Sequence, residues 1–339
     1  MIVSMNIQGN TLVKGVDEPH VVIPEGVEII GDYAFHEFDR LTSVVFPSTL
    51  ISIGVEAFRE CDRLTKVDLS QTSLTSIGKD AFMWTGLTSV MFPSSLSFIG
   101  VGAFHGCDEF TMVDLSQTSL TSIGEEAFRD CTSLTRVTLP EGLTSIGNGA
   151  FHKCVGLTSV VFPSTLTSIG KHAFGRCSGL TGVVLPEGVS IGKEAFIGCS
   201  GLNSVLFPST LTSIGEGAFR ECTSLTRVTL HEGLNSIGDY AFFGCTGLTE
   251  IKLSSSLTSI GDDTFRNCTE LTEVDLSATE LTTIRYGTFH RCRALTSVVF
   301  PERLTRIGER AFYECTGLRV LVPPCQVHPT AFTDCLLVL

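Results

Sequence analysis

The chain has 339 residues, of which 43% are apolar and 17% charged, and its formal net charge is −13. A chain this acidic lacks the basic footprint that nucleic acid or an anionic membrane demands, and one this rich in apolar residues has too much to bury to stay disordered. No apolar run approaches the roughly 18–20 residues that cross a bilayer; the longest resemble Leu336 to Leu339.

Residues 1–26 are expected to hold an N-terminal cap and a first strand. The opening Met1-Ile2-Val3-Ser4-Met5-Asn6 has neither the basic start nor the long apolar middle of a secretory signal. From residue 27 a hexapeptide, Ile-Gly-x-x-Ala-Phe, takes over, as at Ile53 to Phe58, Ile123 to Phe128, Ile214 to Phe219 and Ile307 to Phe312. With its variants, its Phe falls at 35, 58, 82, 104, 128, 151, 174, 196, 219, 242, 265, 289, 312 and 332. The steps are 22 to 24 residues with a last one of 20, which makes fourteen units. A fixed period in this range marks an architecture of stacked units, none of which buries its apolar residues alone. The solenoid is expected over 27–322, with a degenerate last repeat and C-terminal cap over 323–339.

Residues 143 to 165 show the grammar of one unit. In Leu157-x-x-Val160-x-Phe162, Val160 and Phe162 alternate with period two and point one way, and Ser159 and Val161 point the other. Pro163 cannot donate to a ladder and closes the strand. Gly147 offers a backbone turn at little steric cost. The following Ala150-Phe151 drops a ring into the interior, as do Phe58, Phe128, Phe174 and Phe219 in their units. The predicted fold is an α/β-type repeat solenoid of about 14 units of 23 residues, with a long concave parallel β-sheet, shallow curvature and short convex turns.

Ile-Gly-x-x-Ala-Phe, then Cys three residues after the Phe, then Leu-Thr-x-Val-x-Leu/Phe-Pro, resembles the BspA-like class of leucine-rich repeats. The resemblance covers nearly the whole chain and recurs fourteen times. It implies a leucine-rich-repeat solenoid of the kind found in surface-exposed or secreted proteins, associated with adhesion and protein binding, and it carries no catalytic residues.

Of thirteen cysteines, twelve stand three residues after a repeat Phe, among them Cys131, Cys154, Cys177 and Cys222; Cys325 stands outside this column. Phe38 takes the slot in the first unit, and the shortened Met83-Trp84-Thr85-Gly86 segment lacks the Cys. No Cys-x-x-Cys spacing suggests a metal, so the column reads as buried structural thiols, which favours an intracellular setting where the family resemblance favours the cell surface. His36, His105, His152 and His290 follow the repeat Phe and are expected on the outer surface. Asp68, Asp114 and Asp275 share Val-Asp-Leu-Ser-x-Thr and are expected to form an alternative turn in place of the Pro exit. No nucleophile elbow, metalloprotease helix or phosphate-binding loop appears, so neither catalysis nor a cofactor is expected.

Function is therefore expected on the concave sheet, as the docking of a protein partner. Val161, Val184 and Leu206 are apolar yet point outward, beside small Ser159, Gly182 and Ser204. Arg136 with Thr138 and Arg227 with Thr229 bracket them, and an apolar centre with an Arg rim is what a protein interface often presents. An intracellular structural or regulatory scaffold using the same surface is the alternative reading.

Overall fold

A computed structural model describes residues 5–321 and 324–338. Part of the expected cap (residues 1–4) and the expected boundary between 322 and 323 lie outside the described residues. The chain divides into two compact units, Met1–Cys177 and Ser178–Leu339. Each is a parallel β-solenoid whose turns have three sides, and no helix occurs among the described residues.

The first side is built from three-residue strands. In unit 1 these are His20–Val22, Ser43–Val45, Lys66–Asp68, Ser89–Met91, Met112–Asp114 and Arg136–Thr138. Their middle residue is buried and the flanking two face outward, as the period-two reading requires. They are hydrogen-bonded two at a time, Lys66–Asp68 with Ser89–Met91 and Met112–Asp114 with Arg136–Thr138, in parallel register. The expected long sheet is thus present as short pieces. At Ser159 the strand shrinks to one bridge with Arg136. In unit 2 the corresponding strands are Gly182–Val184, Ser204–Leu206, Arg227–Thr229, Glu250–Lys252, Glu273–Asp275 and Ser297–Val299.

A second ladder runs beside it, on the Ser-Ile step of each unit. In unit 1, Ser122–Ile123, Ser145–Ile146 and Ser168–Ile169 pair in parallel; in unit 2, Ser213–Ile214, Ser236–Ile237 and Ser259–Ile260 do the same. At the start of unit 1 the antiparallel hairpin Asn6–Gln8 and Thr11–Lys14 joins this ladder, Thr11–Leu12 lying against Ile29–Ile30. Here Gly147 has a role different from the expected one. Its φ is not positive; a Cβ at this position would sit 2.7 Å from the Glu125 nitrogen and 2.8 Å from the Gly124 carbonyl carbon of the preceding turn. The glycine lets two backbones approach, and does not supply an unusual turn.

The third side is the turn around the repeat Phe. Glu126, Phe128 and Asp130 each donate their amide to the next turn, to the carbonyls of Asn148, Ala150 and His152, all at 2.8 Å. Glu126 and Asp130, on either side of Phe128, have φ of 52° and 56°. Every second N–H here is aimed at the following unit, so the backbone is satisfied without a strand.

Two columns fill the interior. The Phe rings stack nearly parallel, Phe128 on Phe151 at 5.4 Å and Phe151 on Phe174 at 5.3 Å in unit 1, Phe196 on Phe219 at 5.4 Å in unit 2. Phe58, Phe128, Phe151, Phe174 and Phe219 are fully buried, as are Cys131, Cys154, Cys177 and Cys222. The cysteines do more than fill space. Cys154 Sγ donates to the Phe128 carbonyl at 3.1 Å, and Cys177 and Cys222 do likewise to Phe151 and Phe196. Each thiol thus adds a weak hydrogen bond between consecutive turns. In the unit without Cys, buried Thr85 donates its hydroxyl to the Phe82 carbonyl at 3.0 Å and touches Cys107 Sγ at 3.3 Å. Phe38 holds the slot in the first unit, edge-on to Phe35 at 5.6 Å, where no earlier repeat Phe offers a carbonyl.

Candidate functional site

The outward side of the three-residue strands carries the residues singled out from the sequence, and the two units hold them separately. In unit 1, Arg136, Thr138, Ser159 and Val161 line one shallow depression, with Glu141 at its margin. Val161 is 82% exposed. In unit 2, Ser204, Leu206, Arg227 and Thr229 line another, with His231 beside them. Val184 lies in register with Leu206 and Gly182 with Ser204, so two exposed aliphatic side chains adjoin above a floor of small residues. Strand alternation alone puts them there: Val183, between Gly182 and Val184, is buried, and turning it outward would require a register slip of one residue.

The two arginines differ. Arg227 Nη2 lies 2.9 Å from Glu250 Oε2 on the adjacent strand, so its charge is already matched. Arg136 has no ion-pair partner among the described residues and stands exposed beside Val161. A carboxylate approaching unit 1 therefore meets an open guanidinium, and one approaching unit 2 must compete with Glu250. Further along unit 2 the face turns acidic, where Glu250, Glu273 and Asp275 line a third depression with Lys252 and Val299. The Asp275 carboxyl is held below its usual range by hydrogen bonds from the Ser277 hydroxyl and amide. The same capping recurs at Asp68 and Asp114, which accept the amides of Ser70 and Ser116 at 2.9 and 3.0 Å. The Val-Asp-Leu-Ser motif is thus a turn device, as its sequence suggests.

Sequence reasoning passed over other exposed apolar side chains in unit 1. Val22 and Val45, 64% and 58% exposed, are register partners at the start of the strand side. The signal was available: Val21-Val22-Ile23-Pro24 repeats the strand-and-Pro-exit grammar ahead of the first recognised unit. Met91, Met112 and, on the second ladder, Phe98 are also more than half exposed.

The histidines correct an expectation. His36, His105 and His152 are half-buried, and His290 is only 4% exposed. Side chains in this slot stack from turn to turn, so each is covered by its neighbours: His290 lies edge-on to Tyr313 at 5.1 Å. Among the described residues no group of three or more His, Cys, Asp or Glu is placed to hold a metal ion, and no helix is long and apolar enough to cross a membrane. Among the described residues no cysteine is in a disulfide, and burial pushes the Cys61, Cys107 and Cys245 thiols up to about 12. Such thiols are poor nucleophiles and poor ligands.

Comparison with known proteins agrees with this architecture. No curated protein matches the sequence. Among solved structures, the chain is similar to a leucine-rich repeat protein from Bacteroides ovatus, with 28% identity and a TM-score of 0.82 over 94% of this chain and 83% of that one. It also matches a leucine-rich cell surface protein from Faecalibacterium prausnitzii at 27% identity, with a TM-score of 0.45 over 86% of this chain and 90% of that one. The profile of the BspA-type leucine-rich repeat region matches residues 14–119, 99–223 and 189–319. The chain, with its stacked Phe and Cys columns, belongs to the BspA-type leucine-rich repeat family.

Proposed function

We propose that this protein is a non-catalytic binding solenoid that holds a protein partner on the outward side of its three-residue strands, in cell-surface adhesion or recognition of a host or partner. One observation carries the reading: Val161 in unit 1, and Val184 and Leu206, which adjoin each other in unit 2, are 82%, 63% and 57% exposed, although strand alternation could have placed polar residues there at no cost to the core. Arg136 supplies an open positive group in unit 1 for a partner's carboxylate or carbonyl. Apolar side chains rimmed by Arg, Ser and Thr desolvate readily and still fix orientation. A second reading, an intracellular structural or regulatory scaffold using the same face, draws on the lack of disulfides among the described cysteines.

The test begins with cross-linking and capture of a partner from the native cells, followed by titration of the purified pair. Leu206→Asp should abolish binding while leaving the unfolding transition in place, and Arg136→Ala should weaken it about five- to thirtyfold, the effect of losing about 1–2 kcal/mol. Arg220→Ala is the control, because that side chain lies on the turn side over the Phe243 ring. Unchanged affinity in Leu206→Asp would remove the strand side of unit 2 from the interface. Fractionation of the native cells separates the surface reading from the scaffold reading.

A further inference from the structure

The turn side of unit 2 holds a buried histidine with no hydrogen-bond partner. His290 is 4% exposed, and neither Nδ1 nor Nε2 has a partner among the described residues. The charged groups around it come from three consecutive turns. The preceding turn contributes Arg266, in ion-pair contact with Asp263 at 3.5 Å. Its own turn contributes Arg291, and the following turn Glu314, Arg310 and the Tyr313 ring. Glu314 holds Arg291 through two hydrogen bonds of 3.0 and 3.1 Å, whereas Asp263 Oδ1 is buried without a hydrogen-bond partner and meets Arg266 only as an ion pair. What remains facing the imidazole is net positive.

We propose that His290 is an acid-sensitive latch, whose protonation opens this part of the turn side locally while the Phe and Cys columns stay packed. A charged imidazole here would be desolvated, with no acceptor in hydrogen-bond contact and three guanidinium groups beside it. The relief is for the segment that carries the ring to lift into water, away from the Arg266 and Tyr313 side chains that cover it. The Asn267 amide donates to the His290 carbonyl at 2.8 Å, and the Arg291 amide to the Tyr313 carbonyl at 2.8 Å. Lifting the segment breaks both, whereas rotation of the side chain alone would leave them intact. Desolvation, with Arg266 and Arg291 adding to it, holds the closed imidazole down at about 4. The open turn has an ordinary imidazole near 6.5. The sign follows: above about 6.5 neither form binds the proton and the latch is closed, and between about 6.5 and 4 only the open form binds it. From pH 7 to pH 5 the opening equilibrium should rise about twentyfold.

The experiment is hydrogen exchange on the full chain at pH 7 and pH 5, each amide corrected for its intrinsic exchange rate. Protection of the Asn267 and Arg291 amides should fall about twentyfold at pH 5. The Glu221 amide, bonded to the Phe243 carbonyl at 2.7 Å in a turn without histidine in this slot, should change little. His290→Phe should abolish the fall, since Phe243 and Tyr313 show that the slot accepts an aromatic ring. An equal fall in His290→Phe, or one shared by Glu221, overturns the latch. If that variant does not fold, the His290 imidazole is titrated by NMR in the unaltered chain: a midpoint well below 6.5 supports the proposal and one near 6.5 overturns it.

Discussion

Val160 and Val161 are consecutive and chemically identical, yet the first is 7% exposed and the second 82%. They stand for the two sides of the three-residue strands, continued here past the single bridge at Ser159. On the inward side the same residue types return unit after unit, Val, Leu, Phe, Cys, because each must match the units before and after it. On the outward side the residues change from strand to strand: Lys66, Ser89, Met112, Arg136 in unit 1, and Gly182, Ser204, Arg227, Glu250, Glu273 in unit 2. A core residue in a stacked array answers to two neighbours at once, whereas an outward residue answers to water or a partner. Fold is therefore written in what repeats, and binding in what does not.

The largest contrast should appear in thiol chemistry. Raising a thiol from 9.0 to about 12, as burial does for Cys107, lowers its thiolate fraction about a thousandfold, before any loss of access. Cys325 is only half-buried and less perturbed. In native conditions a maleimide should modify Cys325 more than a hundredfold faster than Cys107, and the difference should vanish in denaturant. Mass spectrometry of timed digests reads both rates. Comparable native rates would mean that the column opens far more readily than its packing suggests.

Next in size is the Phe column. Phe151 has a ring on each side, whereas Phe332 in unit 2 stacks only on Phe312, at 5.1 Å, and is half-buried. Phe151→Ala should cost about 3–5 kcal/mol, the price of a cavity between two rings, and Phe332→Ala clearly less. Equal shifts in denaturation midpoint would contradict the dependence on two neighbours. The glycine of the Ile-Gly step should follow. Gly147→Ala forces a Cβ against two backbones and should cost about 1–3 kcal/mol. Gly142→Ala, where a Cβ meets nothing within 4 Å, should be neutral or stabilise by about 0.4–1 kcal/mol. If the two behave alike, close approach is not what the repeat selects.

How much of this was legible in the sequence follows the same division. The Phe and Cys columns, the strand side and the Asp-capped turns could be read because each is periodic and local: an apolar alternation, a Pro exit, a Ser two residues after an Asp. The ladder through Ser145–Ile146 was not read, since two residues of strand leave no alternation, and pairing with Ser122–Ile123 and Ser168–Ile169 is a property of neighbours. The burial of His290 was missed for the same reason. Its slot is polar in most units, and only Arg266 before it and Tyr313 after it close the ring in. The pairing of Arg227 with Glu250 was within reach, because the two occupy the same outward column on adjacent strands. Reading the columns residue by residue, without pairing successive members, overlooked it.

That pair supplies the smallest expected effect and the sharpest check on the outward side. Arg227 and Glu250 meet at 2.9 Å with side chains 69% and 54% exposed. In water an exposed pair gains little, because solvent screens both charges and holding two long side chains together costs entropy. Arg227→Ala should therefore change stability by no more than about 0.5 kcal/mol, with denaturation midpoints nearly unmoved by added salt. The same substitution frees Glu250, which joins Glu273 and Asp275 on a face that is already acidic. Any consequence should therefore appear in what the face attracts, as tighter retention on an anion-exchange support, before it appears in the fold. A loss above about 1 kcal/mol would show that the outward column shares in holding the units together, and the division between repeating and varying residues would no longer separate fold from binding.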